Sequence, residues 1–201
     1  RFPDRQKLVA LALLFNTSLD ELLGVPRNLC SEQSRHNGPL QMPSVDAAIE
    51  LLISGREDEA WVQIERVISG GTPLASLYGD LFQPLLEKTG HLWASGSLSV
   101  AQEHLISYRI ESFMERARLF YPRQAPRGLT CVCAAVPGEQ HGIGLRMFRD
   151  LLELRGWATF FLGTNIPTDQ FIRFVSSFPV NLVALTLMLD SNIDSSRLMI
   201  D

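Results

Sequence analysis

The sequence predicts an all-α helical bundle followed by an open α/β sheet of parallel strands. Two periodicities carry that reading: apolar residues recur at helical spacing between Val45 and Tyr121, and short apolar runs alternate with amphipathic helices from Gly128 onward. Composition is the third observation. The chain has 201 residues, 46% hydrophobic and 20% charged, which is apolar enough to bury real cores and too apolar for a disordered chain. That length exceeds one typical domain and falls short of two full ones, so a complete unit beside shortened neighbours is expected.

Residues 4–16 and 18–23 read as two short helices. The first is apolar on nearly every face; Ser18 and Glu21 have capping-box spacing for the second, and Gly24 and Pro26 stop it. Residues 27–44 are rich in Arg, Asn, Ser, Gln, His, Gly and Pro, the chemistry of a linker. Four helices then follow. Ser44 is placed to cap residues 45–54, which Gly55 ends. Residues 56–69 carry Ala60, Trp61, Ile64, Val67 and Ile68 on one face and end at Gly70-Gly71. Thr72-Pro73 opens a third segment running to Trp93, with Pro73 in the first turn and a kink at Pro84. After the Ala94-Ser-Gly-Ser97 break, residues 99–120 make a long helix. Short connections between four helices imply a bundle over residues 45–122.

Residues 129–136, 157–162 and 181–189 read as buried strands, and 142–155 and 168–176 as the helices between them. Strand alternating with helix implies a parallel sheet over residues 123–201, Rossmann-like or flavodoxin-like, with three strands where a complete doubly wound domain has about five.

Several function classes are excluded at this point. No run of about 18 or more apolar residues exists, and the first 30 residues lack the order of a signal peptide, so a cytoplasmic protein without a membrane partner is expected. A net charge of -4 argues against a chain that coats nucleic acid along its length. Cys30, Cys131 and Cys133 cannot all pair, and the last two share one face of a strand, which reads as reduced thiols. The four His and three Cys lack the recurrent spacing of a structural zinc site, His36 lies in the linker, and no catalytic set stands out.

In parallel sheets, ligands sit beyond the carboxyl ends of the strands, so the loops after Val136, Leu162 and Leu189 bear the chemistry. The first reads Pro137-Gly-Glu-Gln-His-Gly-Ile-Gly144, with a carboxylate two residues from an imidazole. It is neither a Gly-x-Gly-x-x-Gly fingerprint nor a phosphate loop. Glu139-x-His141-x-x-Gly144, 41 intervening residues and Thr186-Leu-Met188 resemble the pattern of a cobalamin-binding domain family. The resemblance implies that His141 is the lower axial ligand to cobalt and that Glu139 is the acceptor fixing its tautomer. It further implies that Gly144 lets the nucleotide tail pass and that Thr186 hydrogen-bonds it. Met188 replaces the usual Leu, a volume-conserving change, and the Gly-Gly pair that closes the family pattern would lie past Asp201. Gly163-Thr-Asn-Ile-Pro167 resembles the same family's second loop, adding Gly163 and Asn165 to the cofactor contacts.

Trp93, nine residues and Glu103-His104 resemble the four-helix cap of cobalamin-dependent photoreceptor regulators. That resemblance implies Trp93 over the upper corrin face, with Glu103 and His104 at the upper ligand or corrin edge. Adjacent helical residues point about 100° apart, so at most one of Glu103 and His104 need face inward. Ala94 stands where that group has a histidine that can reach cobalt, and His91 lies about 200° around the helix from Trp93, so a second histidine ligand is not expected there. Residues 18–24, Ser-Leu-Asp-Glu-Leu-Leu-Gly, resemble the close of a phage-repressor helix-turn-helix domain, making 1–26 its C-terminal remnant. Its recognition helix would lie upstream, so DNA would be a partner only through residues absent from this chain.

Together these imply the sensory module of a transcriptional regulator, not an enzyme. It would bind adenosylcobalamin (methylcobalamin being the alternative), respond to light and change its homo-oligomeric state. A corrinoid carrier for methyl transfer and a cofactor-free interaction module are the alternative readings.

Overall fold

The computed structural model describes residues 41–189, 192, 193 and 199; the two N-terminal helices, the repressor-like run, Cys30 and His36 lie outside them. The described residues fall in one compact unit, which contains both the bundle and the sheet.

The bundle comprises α1 (Val45–Ile53), α2 (Glu57–Ser69), a broken third helix and α5 (Val100–Arg118). Ser44 occupies the cap position of α1 without a side-chain cap bond, and Pro73 stands one position ahead of the third helix instead of within its first turn. That helix runs as α3 (Leu74–Leu77), a π-helical turn (Tyr78–Phe82) and α4 (Gln83–Ala94). The break expected at Pro84 thus takes the form of a widened turn. Proline has no N–H to return to the preceding turn and its ring crowds that turn's carbonyl, and an extra residue in the turn relieves both. Ser99 and Gln102 form a reciprocal capping box that starts α5. Leu77, Leu81, Phe82, Ile106, Ile110 and Met114 are fully buried at the bundle's centre.

The sheet contains β1 (Thr130–Ala135), β2 (Ala158–Phe161) and β3 (Leu182–Thr186), all parallel, in the order β2-β1-β3. β1 is buried because both neighbours pair with it: Thr130 lies opposite Ala158, and Ala135 opposite Thr186. Alternation along β1 sends Cys131 and Cys133 to one face and Val132, Ala134 and Val136 to the other. Helix α6 (Ile143–Leu154) covers the cysteine face through Leu145 and Leu152, and α7 (Thr168–Val175) covers the opposite face through Phe171. Pro167 holds the cap position of α7, and Thr168 is its first residue.

Helix α6 has a second apolar face. Met147 joins the bundle core, and Ile143, Leu151 and Leu154 pack against it. Bundle and sheet therefore share one helix. A buried polar cluster fastens its C-terminal half: the Tyr78 hydroxyl donates to Asp150 Oδ2 at 2.8 Å, and Arg149 donates twice to Asp150 Oδ1. Glu153 accepts from Arg118, from Arg123 at 2.6 Å and from the Thr159 hydroxyl on β2 at 2.5 Å. Bundle, helix and sheet are thereby tied by charge-assisted bonds shielded from water.

Removing Asp150 strands the Arg149 and Tyr78 donors, whereas removing only the Tyr78 hydroxyl leaves Asp150 bonded to arginine. In urea unfolding, Asp150→Ala is expected to cost about 3 kcal/mol and Tyr78→Phe about 1 kcal/mol.

Candidate functional site at the carboxyl edge of the sheet

The strand order reverses between β1 and β3, which makes the loops after them the walls of the crevice where parallel sheets bind ligands. The β1 loop turns immediately, with Glu139 N–H donating to Val136 O, and Gly138 has a φ of 84° that suits glycine. This turn drives Glu139 inward, where its side chain is fully buried.

A buried carboxylate needs donors, and Glu139 has them on both oxygens. Oε1 accepts from the backbone N–H groups of Gln140 and His141, each at 2.9 Å, and lies 2.5 Å from His141 Nδ1. Oε2 accepts from Met188 N–H at 2.8 Å, Leu189 N–H at 3.2 Å and the Asn192 side-chain amide at 3.4 Å. Burial alone would raise the carboxyl pKa, but the His141 and Met188 amides, the His141 ring and the Asn192 amide together hold it down at about 2. The carboxylate is therefore an acceptor only, so Nδ1 of His141 must carry the proton and Nε2 presents a lone pair. The His141 side chain is 59% exposed, so the ring is accessible from outside the sheet edge.

The neighbouring loop is tied in as well. Asn165, at φ 55°, accepts from Gly138 N–H through Oδ1 at 2.9 Å, and Gly163 O accepts from Ala135 N–H. Asn165 thus spends its carbonyl oxygen on holding the loop that carries Glu139. A Cβ on Gly142 would lie 2.9 Å from Thr164 Cγ2, so the first and second loops approach closely there. At Gly144 and Gly163 a Cβ would meet nothing within 4 Å, leaving open space beside the loops. Thr186, half-buried, ends β3 opposite Ala135.

The cap residues fall into place through α5. Arg118 pairs with Asp150 and Glu153, while Glu111 and Glu115 pair with Arg146, so α5 runs parallel to α6. At 100° per residue, His104, Glu111, Glu115 and Arg118 fall within about 60° of arc, a single stripe facing α6. Continuing that stripe about 10 Å beyond Glu111 carries His104 past Arg146, toward the end of α6 that begins after His141. Glu103 lies off the stripe and serves His104 from behind: Oε2 is 2.5 Å from His104 Nδ1, and Oε1 accepts from the Ser107 hydroxyl at 2.8 Å. Trp93, in the last turn of α4, is 50% exposed.

This donor set fits cobalamin. No group of three or more His, Cys, Asp or Glu able to hold a metal exists among the described residues. One outward imidazole with a fixed tautomer suits a metal that arrives already ligated by a macrocycle. Trp93, Met188 and Leu189 offer large exposed apolar surface for such a ring. Cys131 and Cys133 play no such part: they lie buried with sulfurs 3.6 Å apart, and burial with the neighbouring thiol pushes Cys133 up to about 12.

Residues 45–117 match the B12 binding domain family. Over 123 residues the chain is 29% identical to the HTH-type transcriptional repressor CarH of Myxococcus xanthus, covering 61% of this chain and 40% of that protein. It therefore spans less than half the length of this relative. The structure of the Methanosarcina barkeri monomethylamine corrinoid protein superposes with a TM-score of 0.61 at 16% identity, over 77% of this chain and 73% of that one. The expected architecture, a helical cap followed by a Rossmann-like parallel sheet, is shared with it. The resemblance to cobalamin-binding proteins read from the motifs holds. Asn192 escaped the sequence reading because a lone polar residue after a strand carries no motif; Arg146 escaped it because a helix-face charge looks like ordinary solvated surface.

The depressed pKa of Glu139 has a defined effect on stability. Its contribution is fully present above the ordinary value of 4.5 and is lost as pH falls through about 2. Acid titration of unfolding is expected to show this loss in the wild type and a flatter limb between those values in Glu139→Gln.

Proposed function

We propose that this chain is the cobalamin-binding sensory module of a transcriptional regulator, taking adenosylcobalamin and responding to light. The observation that carries the reading is the buried Glu139 carboxylate, which holds the proton of His141 on Nδ1 and leaves Nε2 as a nitrogen donor that would hold the metal. When bound, cobalamin supplies a cobalt–carbon bond that light can cleave.

The chain's own residues do the rest. His141 would anchor the cofactor from the sheet side, and Glu139 raises the basicity of that ligand by accepting a hydrogen bond from its Nδ1–H. Gly144 and Gly163 leave room for the nucleotide tail, and Thr186 offers a hydroxyl to it. Asn165 holds the Glu139 loop. Trp93 covers the opposite side with an apolar ring, and Glu103 and His104 line the cap wall. Because α6 packs against both the bundle core and the sheet, a change at the cap wall is felt by the helix that follows His141. The likeness to a repressor supports the regulatory role, and DNA would be engaged through residues outside this chain.

Reconstitution in the dark tests the reading. The wild type is expected to retain adenosylcobalamin through gel filtration with axial-imidazole absorption bands. His141→Ala should lose those bands or at least 10-fold in affinity. Trp93→Ala should keep the His141 bands and release cofactor faster. An unchanged spectrum in His141→Ala removes His141 as ligand. Illumination should change the apparent mass by light scattering; a light-indifferent mass together with turnover by a methyltransferase partner on methylcobalamin would favour a carrier instead.

A further inference from the structure

At the C-terminal ends of α5 and α6, the end of α6 opposite the His141 loop, three arginines wall a cleft of about 450 Å³. Arg118, Arg123 and Arg149 line it together with Glu115, Leu119 and Tyr121, and its volume is that of a small-molecule site. The acceptors behind these arginines are already spent. Asp150 Oδ1 takes two bonds from Arg149, and Oδ2 takes the Tyr78 hydroxyl. Glu153 Oε2 takes one bond each from Arg118 and Arg123, and Oε1 takes the Thr159 hydroxyl. Two carboxylates thus face three guanidiniums. Arg118 Nε shows the deficit: it is buried, stands 3.7 Å from Asp150 Oδ1 and has no hydrogen-bond partner among the described residues. A buried donor without an acceptor is uncommon in a folded protein and calls for an explanation. Glu115, the acidic residue of the lining, is 70% exposed and paired with Arg146. One positive charge is therefore left over in the cleft, on side chains that are partly buried and so weakly screened.

We infer that this cleft binds a phosphomonoester, with its oxyanion among Arg118, Arg123 and Arg149 and its organic group against Leu119 and Tyr121. A guanidinium matches the edge of a phosphate with two parallel N–H bonds, and the phosphate brings the acceptor oxygens that the cluster lacks. The apolar part of the wall selects an ester over the bare ion. Leu119 is 85% exposed, and the Tyr121 hydroxyl donates to Thr72 O at 2.7 Å, which fixes the ring beside the arginines. Inorganic phosphate leaves that surface in water, whereas an organic group covers it. Arg118 ends α5, Arg123 lies in the connection to β1 and Arg149 stands on α6, so the bound anion joins bundle and sheet. None of these residues takes part in the cobalamin reading, and the two stand or fall separately.

Phenyl phosphate is the probe, with inorganic phosphate beside it at matched ionic strength. Isothermal titration of the full chain is expected to show saturable binding of phenyl phosphate, about 10-fold tighter than inorganic phosphate. The thermal midpoint should rise with phenyl phosphate concentration, because the ligand binds only the folded chain. Arg123→Ala changes a 59% exposed side chain, so it should fold and weaken both anions about 10-fold. Leu119→Ala should weaken phenyl phosphate and leave inorganic phosphate unchanged. Absence of saturable binding, or equal affinity in wild type and Arg123→Ala, overturns the site. Equal affinity of the wild type for the two anions overturns the ester as its ligand. Tight binding of duplex DNA that phenyl phosphate does not displace also overturns the proposal, since the arginines would then serve a phosphodiester backbone.

Discussion

A buried carboxylate in the first loop of the sheet organises the carboxyl edge of the strands. Glu139 is fully buried, yet each oxygen accepts bonds from a different part of the chain: Oε1 from its own loop, Oε2 from the segment after β3. Leaving such a group unpaired would cost several kcal/mol, so the two loops are held together by the desolvation penalty of pulling them apart. The same arrangement sets the chemistry. An ionised acceptor dictates which nitrogen of His141 bears the proton, so structural and functional constraints meet in one side chain.

Helix α6 extends that organisation to the cap. Its two apolar faces belong to different cores, one with the bundle and one with Cys131 and Cys133 on the sheet. The attachment is uneven along its length. Asp150 and Glu153 make dense, shielded contacts at its C-terminal half, while Arg146 near its start reaches Glu111 and Glu115 through more exposed pairs. Exposed ion pairs contribute little, whereas buried ones resist separation strongly. Cap and sheet are thus fastened firmly at the C-terminal half of α6 and loosely at its start.

Much of this was legible beforehand. The helical and strand periods of the described residues match the observed elements to within one or two positions, apart from the π-turn at Tyr78–Phe82 and the third strand, which ends at Thr186 where the apolar run continues to Leu189, because periodicity reports which face is buried and not where strand pairing stops. Glu139 and His141 were legible as a pair because two residues of loop suffice to bring a carboxylate to an imidazole. The division of labour between Glu103 and His104 was not, since it depends on which stripe of α5 meets α6. That the Asn165 carbonyl oxygen accepts from Gly138 N–H was not legible, because the contact joins residues 27 positions apart.

By itself, the sequence determined the order of helices and strands, the parallel character of the sheet and the identity of the imidazole beyond β1, all of which follow from local spacing and strand-edge chemistry. Only the tertiary structure decided that Glu139 is buried and doubly bonded, that one helix serves two cores, and that His104 lies on the stripe continuing toward His141. Those facts depend on pairings between residues far apart in the chain, whose register is set by packing and charge across α5, α6 and the sheet edge, and no local pattern encodes that register.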